Sequence, residues 1–295
     1  MTALAHLHFA IFPGAARAAR ASFQWRLLVL WVLWMLIPTA IVSMPLWSML
    51  GDSLDYSVHA ADIAQRMDMT VFTDLMAQHG KHRMAFTSTT VVGLVATLLI
   101  SPLLTAMAGA AARSPDRLGF GALTRSGLDD YPRMFRMLLW SIVPLGLAAA
   151  LGSFAIDAAD EHAAATTLAS SADLGQSIAA AVMLLLLALA HATLDAGRAA
   201  LVLERRRTSV IKAWWQGCGM LLRRPLASLG VYGIITVTGL AIAAALAVVR
   251  INASGASTVG FIAALFIVQV TVAIIGWMRS ARLFALVDVA RLPRA

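Results

Sequence analysis

Six apolar runs, each long enough to cross a bilayer, constrain the fold of this chain more than any other feature. No Asp, Glu, Lys or Arg falls inside any of these runs. A transmembrane helix needs about 20 predominantly apolar residues, and a charge at the bilayer centre costs about 3 kcal/mol. The chain is therefore predicted to be an all-α, polytopic transmembrane helix bundle, with six spans at about residues 27–50, 87–108, 138–156, 174–194, 226–249 and 257–278.

The 23 Lys and Arg residues are divided unequally between the two sides of this predicted bundle. Nineteen of them fall in four segments, residues 1–26, 109–137, 195–225 and 279–295, which we call the basic side. Cytoplasmic segments of membrane proteins collect Lys and Arg. We therefore expect a multi-pass protein of the bacterial inner (plasma) membrane, with its N- and C-termini in the cytoplasm. Its parts are a basic tail at 1–26, a transmembrane domain at 27–278 and a tail at 279–295.

The composition agrees with a membrane protein and argues against two other classes. Only 13% of residues are charged, about half the usual share for a soluble domain. The net charge of +8 need not indicate nucleic acid, because cytoplasmic loops rich in arginine explain it. Cys218 is the single cysteine, so an intrachain disulfide and a cysteine-based metal cluster are excluded. No cofactor is predicted.

Two segments of the basic side are predicted to be cytoplasmic amphipathic surface helices, at residues 119–136 and 208–224. Aromatic and aliphatic residues alternate with charges in both, and glycines predict a break at Gly127 and at Gly217 or Gly219. Each basic side chain near an anionic leaflet contributes about 1 kcal/mol. Spans 2–3 and 4–5 would then form two tandem hairpins of similar plan. Two explanations of this similarity remain open: a true structural repeat, and ordinary loops rich in arginine.

A polar cluster is predicted where the fourth and sixth spans reach the basic side. His191 and Asp195 are four residues apart and share a helix face, and Arg198 follows on nearly the same face. Such a pair could relay protons or contact a phosphate. Equally, Asp195 could pair with Arg198 or Arg279 and only orient the helix end. The candidate cluster consists of His191, Asp195, Arg198, Arg279 and Arg282, and no catalytic residue is assigned.

A second set of residues is predicted to contact lipid headgroups or a protein partner. The same charges could instead reflect only the positive-inside rule. Binding and topology are compatible explanations, because both depend on the attraction of basic residues to a negatively charged leaflet. The set consists of Arg205, Arg206, Arg207, Lys212, Trp214, Trp215, Arg223 and Arg224. On the other side, His79 and His82 near Asp74 fit a solvated loop better than a metal site, so no metal is predicted.

The pattern at the basic side also resembles a known group of proteins. Small residues precede an arginine after each even span, Asp195-x-x-Arg198 follows span 4, and Arg223-Arg224-Pro225 precedes span 5. This resembles the six-span bacterial inner-membrane proteins related to the membrane domain of glycerophosphoryl diester phosphodiesterases. The resemblance covers about residues 20–285. It implies the architecture and an envelope or lipid context, and it carries over no catalytic residue.

Three functions are compatible with these features. The preferred one is a non-enzymatic bundle that binds anionic membrane lipids, or assembles with a membrane or cytoplasmic protein partner, through its basic side. The second is a transporter or permease subunit in which residues 209–225 contact a cytoplasmic ATPase, although polar or broken midplane helices are few. The third is a lipid-phosphate enzyme using His191, Asp195 and Arg198. A homo-oligomer stays open, and no nucleic-acid partner is expected.

Overall fold

The protein is described from a computed structural model, which covers residues 13–54, 83–166, 169–206, 209–253 and 258–292, together with Val58 and Thr73. A helical segment at residues 13–22 precedes seven longer helices in these ranges. They are α1 Trp25–Leu54, α2 Arg83–Arg113, α3 Phe120–Ala165, α4 Ala169–Leu203, α5 Val210–Arg223, α6 Pro225–Asn252 and α7 Thr258–Arg291. No strand occurs within the described ranges.

The all-α fold with six spans is confirmed. All the long helices except α5 are long and apolar enough to cross a membrane. Pro38 and Pro45 lie inside α1, where proline interrupts the backbone hydrogen bonds. The sequence also favours a short helix capped by Thr70 in the outer loop at 51–86. Thr70 lies outside the described residues, as do His79, His82 and Asp74.

The helices extend well past the predicted span ends on the basic side. The third span forms the middle of α3, a 46-residue helix about 69 Å long, which is more than twice the thickness of the hydrocarbon core. The sixth span likewise continues as α7 to Arg291. Residues 120–136 and 279–291 are therefore extensions of membrane-spanning helices.

The predicted helix breaks at glycine are wrong. Gly127 is buried within the continuous helix α3, and Gly217 and Gly219 both lie inside α5. Glycine costs about 1 kcal/mol in a helix, which tertiary packing of a buried face outweighs. Helix formation at both predicted surface segments is correct, but only α5 is a separate helix. The two hairpins therefore differ in plan, because the first surface segment is fused to its following span.

Proline explains why α5 is separate from α6. Ser209 begins α5 as its N-cap, with its Oγ accepting a hydrogen bond from the backbone N–H of Lys212 at 3.4 Å. Arg224 has a non-helical backbone conformation, as the residue before a proline often does, and Pro225 then begins α6. The chain therefore turns at Arg224.

The chain divides into two compact units. One consists of Gln24–Leu104 and Val237–Arg279. Its helices approach closely at glycines: a Cβ on Gly276 would lie 2.9 Å from the ring of Trp31, and one on Gly239 would lie 2.6 Å from Met278 Cγ. Small residues of this kind are what allow apolar helices to pack in a membrane.

The other unit consists of Met1–Phe23, Thr105–Thr236 and Ser280–Ala295, and it contains most of the basic side. Long stretches of it are buried on nearly every face, which is unusual for the ends of membrane spans. These stretches are 106–111, 194–197 and 280–287. The basic side is therefore a packed protein core as well as a charged surface.

Candidate functional site

The structure brings together three of the five residues predicted to form the polar cluster. Arg198 Nη1 donates to Asp195 Oδ1 at 2.6 Å, and Arg282 Nε lies 3.6 Å from Asp195 Oδ2. Asp195 is 7% exposed and Arg282 is 8% exposed. A buried carboxylate thus lies between two guanidinium groups, where it holds the extension of α7 against the end of α4.

Tyr232, near the start of α6, belongs to this cluster although the sequence did not indicate it. Its hydroxyl accepts a hydrogen bond from Arg282 Nη1 at 3.0 Å, and its ring centroid lies 4.9 Å from the Arg282 guanidinium carbon. A cation over an aromatic face gains about 1 kcal/mol or more when desolvated. Arg282 is therefore held by both a carboxylate and an aromatic ring.

The remaining two predicted members have other environments. His191 lies one helical turn before Asp195, and its Nδ1 is 3.3 Å from the carbonyl oxygen of Leu187 in its own helix. Arg279 belongs to the other compact unit, so its role in the cluster stays a prediction. Within the described residues, no group of three or more His, Cys, Asp or Glu is arranged to hold a metal ion.

A second buried ion cluster surrounds Asp130 in α3. Its two carboxylate oxygens accept hydrogen bonds from Arg113 Nη2 at 2.7 Å and from Arg133 Nη1 at 3.1 Å. Arg205 Nη2 approaches Asp130 Oδ1 to 4.0 Å. The spacing of Asp130 and Arg133 is that of neighbours on a helix face and could have suggested the pair. No sequence signal indicates Arg113.

The two arginines beside Asp130 also bind the end of α4. Arg133 Nη2 donates to the carbonyl oxygens of Leu201 at 2.7 Å and Glu204 at 2.8 Å, and Arg113 Nη1 donates to that of Val202 at 3.2 Å. The last carbonyls of a helix lack partners within the helix and carry partial negative charge. The Asp130 cluster therefore caps α4 and joins it to α2 and α3.

Helix α5 packs one face against α4. Val210, Ala213, Gly217 and Leu221 are buried along this face. A Cβ on Gly217 would meet the backbone of Gly197, and it would lie 2.6 Å from the carbonyl carbon of Ala196. Only glycine permits this close approach between α5 and α4, so Gly217 fixes the position of α5.

The two tryptophans of α5 have different roles. Trp214 Nε1 donates to Thr193 Oγ1 of α4 at 3.1 Å, and its ring packs edge-on against Trp140 of α3 with centroids 5.7 Å apart. Trp214 therefore anchors α5 to the core, although it was predicted to contact lipid or a partner. Trp215, in contrast, is 69% exposed.

An exposed apolar stripe follows the outer side of α5. Ile211, Trp215 and Leu222 are 54%, 69% and 81% exposed. At 3.6 residues per turn they fall within about 40° of one another around the helix. Lys212 and Arg223, both exposed, lie about 90° further round. We call Ile211, Trp215 and Leu222 the α5 stripe.

The other predicted contact residues lie around α5. Arg205 and Arg206 are exposed in the turn that follows α4, and Arg224 is half-buried at the turn before α6. Arg207 lies outside the described residues. Most of the predicted basic set thus flanks one amphipathic helix that carries its own apolar stripe.

Comparison with known proteins adds no relative to this picture. No family model, curated protein or solved structure matches the chain.

Proposed function

We propose that this is a multi-pass protein of the bacterial plasma membrane with its basic side and both termini in the cytoplasm. The distribution of charge supports this orientation, since 19 of 23 bases lie on the basic side. The directions of the helices agree with it as well. The second and fourth spans end on the basic side, where arginines bind the C-terminal carbonyls of α2 and α4.

We further propose that the protein has a non-enzymatic role, binding anionic lipids of the inner leaflet through α5. The observation that supports this most is the α5 stripe beside Lys212 and Arg223. Fully burying an Ile or Leu side chain gains about 1.5–3 kcal/mol, and each base near an anionic surface adds about 1 kcal/mol. A helix of this kind lies in the interface, with its apolar stripe among the acyl chains and its bases among the headgroups.

The geometry of Asp195 supports a structural role over lipid-phosphate chemistry. Its carboxylate already pairs with Arg198 and Arg282, and Arg282 is also held by Tyr232. A general acid or base must exchange a proton with its substrate, whereas both oxygens of this carboxylate are already engaged by arginines, which stay protonated. We therefore expect lipid turnover in cells to be unchanged by His191→Ala or Asp195→Asn.

Single cysteine labels test the position of α5. Cys218→Ala removes the only native cysteine. Leu222→Cys then places a spin label in the α5 stripe, and Lys212→Cys places a matched label on the basic sector of the same helix. In nanodiscs containing anionic lipid, we expect the Leu222 label to be accessible to oxygen, which concentrates in lipid. The Lys212 label should instead be accessible to a water-soluble nickel chelate.

Two outcomes would contradict the proposal. Equal access of the nickel chelate to both labels in anionic nanodiscs would place α5 in water. Protection of the Leu222 label by a stoichiometric, co-purifying ATPase would favour the transporter function, with α5 as the coupling helix.

A further inference from the structure

A groove of about 890 Å³ lies between the end of α4, helix α5 and the end of α7. Its walls include Ala196 and Ala200 of α4, Gly219 and Arg223 of α5, and Val289 and Ala290 of α7. All of these residues belong to the same compact unit. The volume falls within the range of about 300–1,000 Å³ typical of ligand sites. The basic sector of α5 faces this groove, whereas the α5 stripe points to its outer edge.

Small side chains on α4 create the groove. Ala196 and Ala200 lie on the helix face that carries Leu185 and Leu189 about two to four turns earlier. Those leucines, and Val182 before them, are exposed. The exposed part of this face ends at Leu189, because α5 covers α4 from Thr193 to Gly197. The apolar character of the groove therefore comes from its own lining, which also includes Leu203, Met220 and Leu292.

The other end of the groove is charged. Arg223 and Arg224 both line it, and Glu204 is the single acidic residue among its lining residues. Trp215 forms part of the rim and extends into the α5 stripe. Arginine binds phosphate oxygens through two parallel hydrogen bonds, and tryptophan favours the headgroup region of a bilayer. The groove thus combines a phosphate-binding end with an apolar lining.

We infer that this groove binds one anionic phospholipid, with its phosphate at Arg223 and an acyl chain against the apolar lining at Ala196 and Ala200. The inference rests on the proposed function and narrows it from a surface that attracts anionic lipid to a site for a single molecule. Charge favours this occupant, because two arginines face one carboxylate. The apolar lining favours a lipid over free inorganic phosphate, which makes no apolar contacts.

Lipid retained through purification tests the inference. The protein is extracted from anionic membranes, washed in neutral detergent, and examined by native mass spectrometry. We expect the wild type to retain one anionic phospholipid per chain. Arg223→Gln should weaken retention about tenfold, the effect of losing one charge-assisted contact. Arg250→Gln, which removes one exposed base outside the basic side, is the matched control and should retain the lipid.

A second pair of variants tests the apolar part. Ala200→Trp fills the groove and should abolish retention, whereas Ala150→Trp, at an exposed position of α3, should not. Thermal unfolding of both variants checks that they fold. Release of the bound species by inorganic phosphate alone would overturn the inference.

Failure of the inference can be told apart from failure of the proposed function. Equal loss of lipid in Arg223→Gln and Arg250→Gln, or no lipid retained by the wild type, would overturn the single site. The spin-label positions on α5 would still report independently whether this helix lies in an anionic interface. A stoichiometric protein in place of the lipid would also overturn the single site.

Discussion

At the scale of single residues, the basic side is organised by two buried carboxylates, each shared by two arginines. Asp130 and Asp195 lie in different helices, and each joins segments that are far apart in sequence. A buried carboxylate must be paired, because an unpaired charge in a low-dielectric interior is strongly unfavourable. At Asp130 the surplus positive charge faces the C-terminal carbonyls of α4, which carry partial negative charge.

Replacing Asp130 should destabilise the fold. Asp130→Asn keeps the size of the side chain but leaves Arg113 and Arg133 without their buried counter-ion. We expect a loss of about 3 kcal/mol and a decrease in Tm of about 5–10 °C, measured by thermal unfolding in detergent. Asp129→Asn, at the exposed neighbouring position, is the control and should leave Tm almost unchanged. Equal Tm values for the two variants would show that the Asp130 cluster does not stabilise the fold.

Substitutions of Tyr232 can separate the hydrogen bond from the cation–π contact that this residue makes with Arg282. Tyr232→Phe removes the hydrogen bond and keeps the ring, so we expect a loss of about 1.5 kcal/mol in the free energy of unfolding. Tyr232→Leu removes the ring as well and should cost about 1 kcal/mol more. A smaller loss for the leucine variant than for the phenylalanine variant would contradict the cation–π contact.

The sequence predicted Asp195, Arg198 and Arg282 as members of one cluster, but it predicted neither Tyr232 nor the Asp130 cluster. Asp195 and Arg198 are three residues apart on one helix, so their pairing follows from helix geometry. Arg282 and Tyr232 are 50 residues apart in sequence, and their contact depends on how α7 extends beyond the sixth span. The Asp130 cluster could not be predicted, because it depends on the continuation of the third span's helix back to Phe120.

At the scale of helices, the contact between α5 and α4 is the most sensitive feature. Gly217→Ala should displace α5, because its Cβ would meet backbone atoms of α4, which cannot rotate away. We expect a loss of about 2 kcal/mol, typical of an overpacked core. Gly219→Ala is a matched control on the same helix, since a Cβ there has no atom within 4 Å. It should gain up to about 1 kcal/mol from helix propensity. The stability of both variants is measured by thermal unfolding. Equal changes in stability for the two variants would contradict the close contact between Gly217 and the backbone of α4.

The spans were predictable, whereas the helix ends were not. Hydropathy identifies a span because only a helix satisfies its own backbone in lipid. Where the chain leaves the membrane, that constraint ends and tertiary packing decides. Gly127 therefore stays helical within α3, whereas Arg224 leaves the helix before Pro225. The sequence predicted that α5 is amphipathic. Only the structure shows that α5 has one face packed against α4 and a second, exposed apolar face, the α5 stripe.

At the scale of the whole molecule, the arginines of the basic side have two kinds of environment. Some are buried and bind carboxylates or helix carbonyls, as Arg133 and Arg282 do. Others, such as Arg206 and Arg223, are exposed around α5. A count of charges in the sequence cannot separate these groups, although only the exposed group is free to meet lipid headgroups. Both groups follow from the proposed orientation, in which the arginine-rich ends of the spans lie in the cytoplasm.

Lipid binding through α5 requires the basic side to lie at the inner leaflet, so orientation is the central measurement. Both labels are placed in the Cys218→Ala background. Asp160→Cys marks the side of the membrane opposite the basic side, and Arg206→Cys marks the basic side. Both positions are exposed. A membrane-impermeant maleimide is applied to intact spheroplasts and to opened membranes. We expect Asp160→Cys to react in intact spheroplasts and Arg206→Cys to react only after the membranes are opened. Reaction of Arg206→Cys in intact spheroplasts, with Asp160→Cys protected, would contradict the proposed orientation and the lipid binding that depends on it.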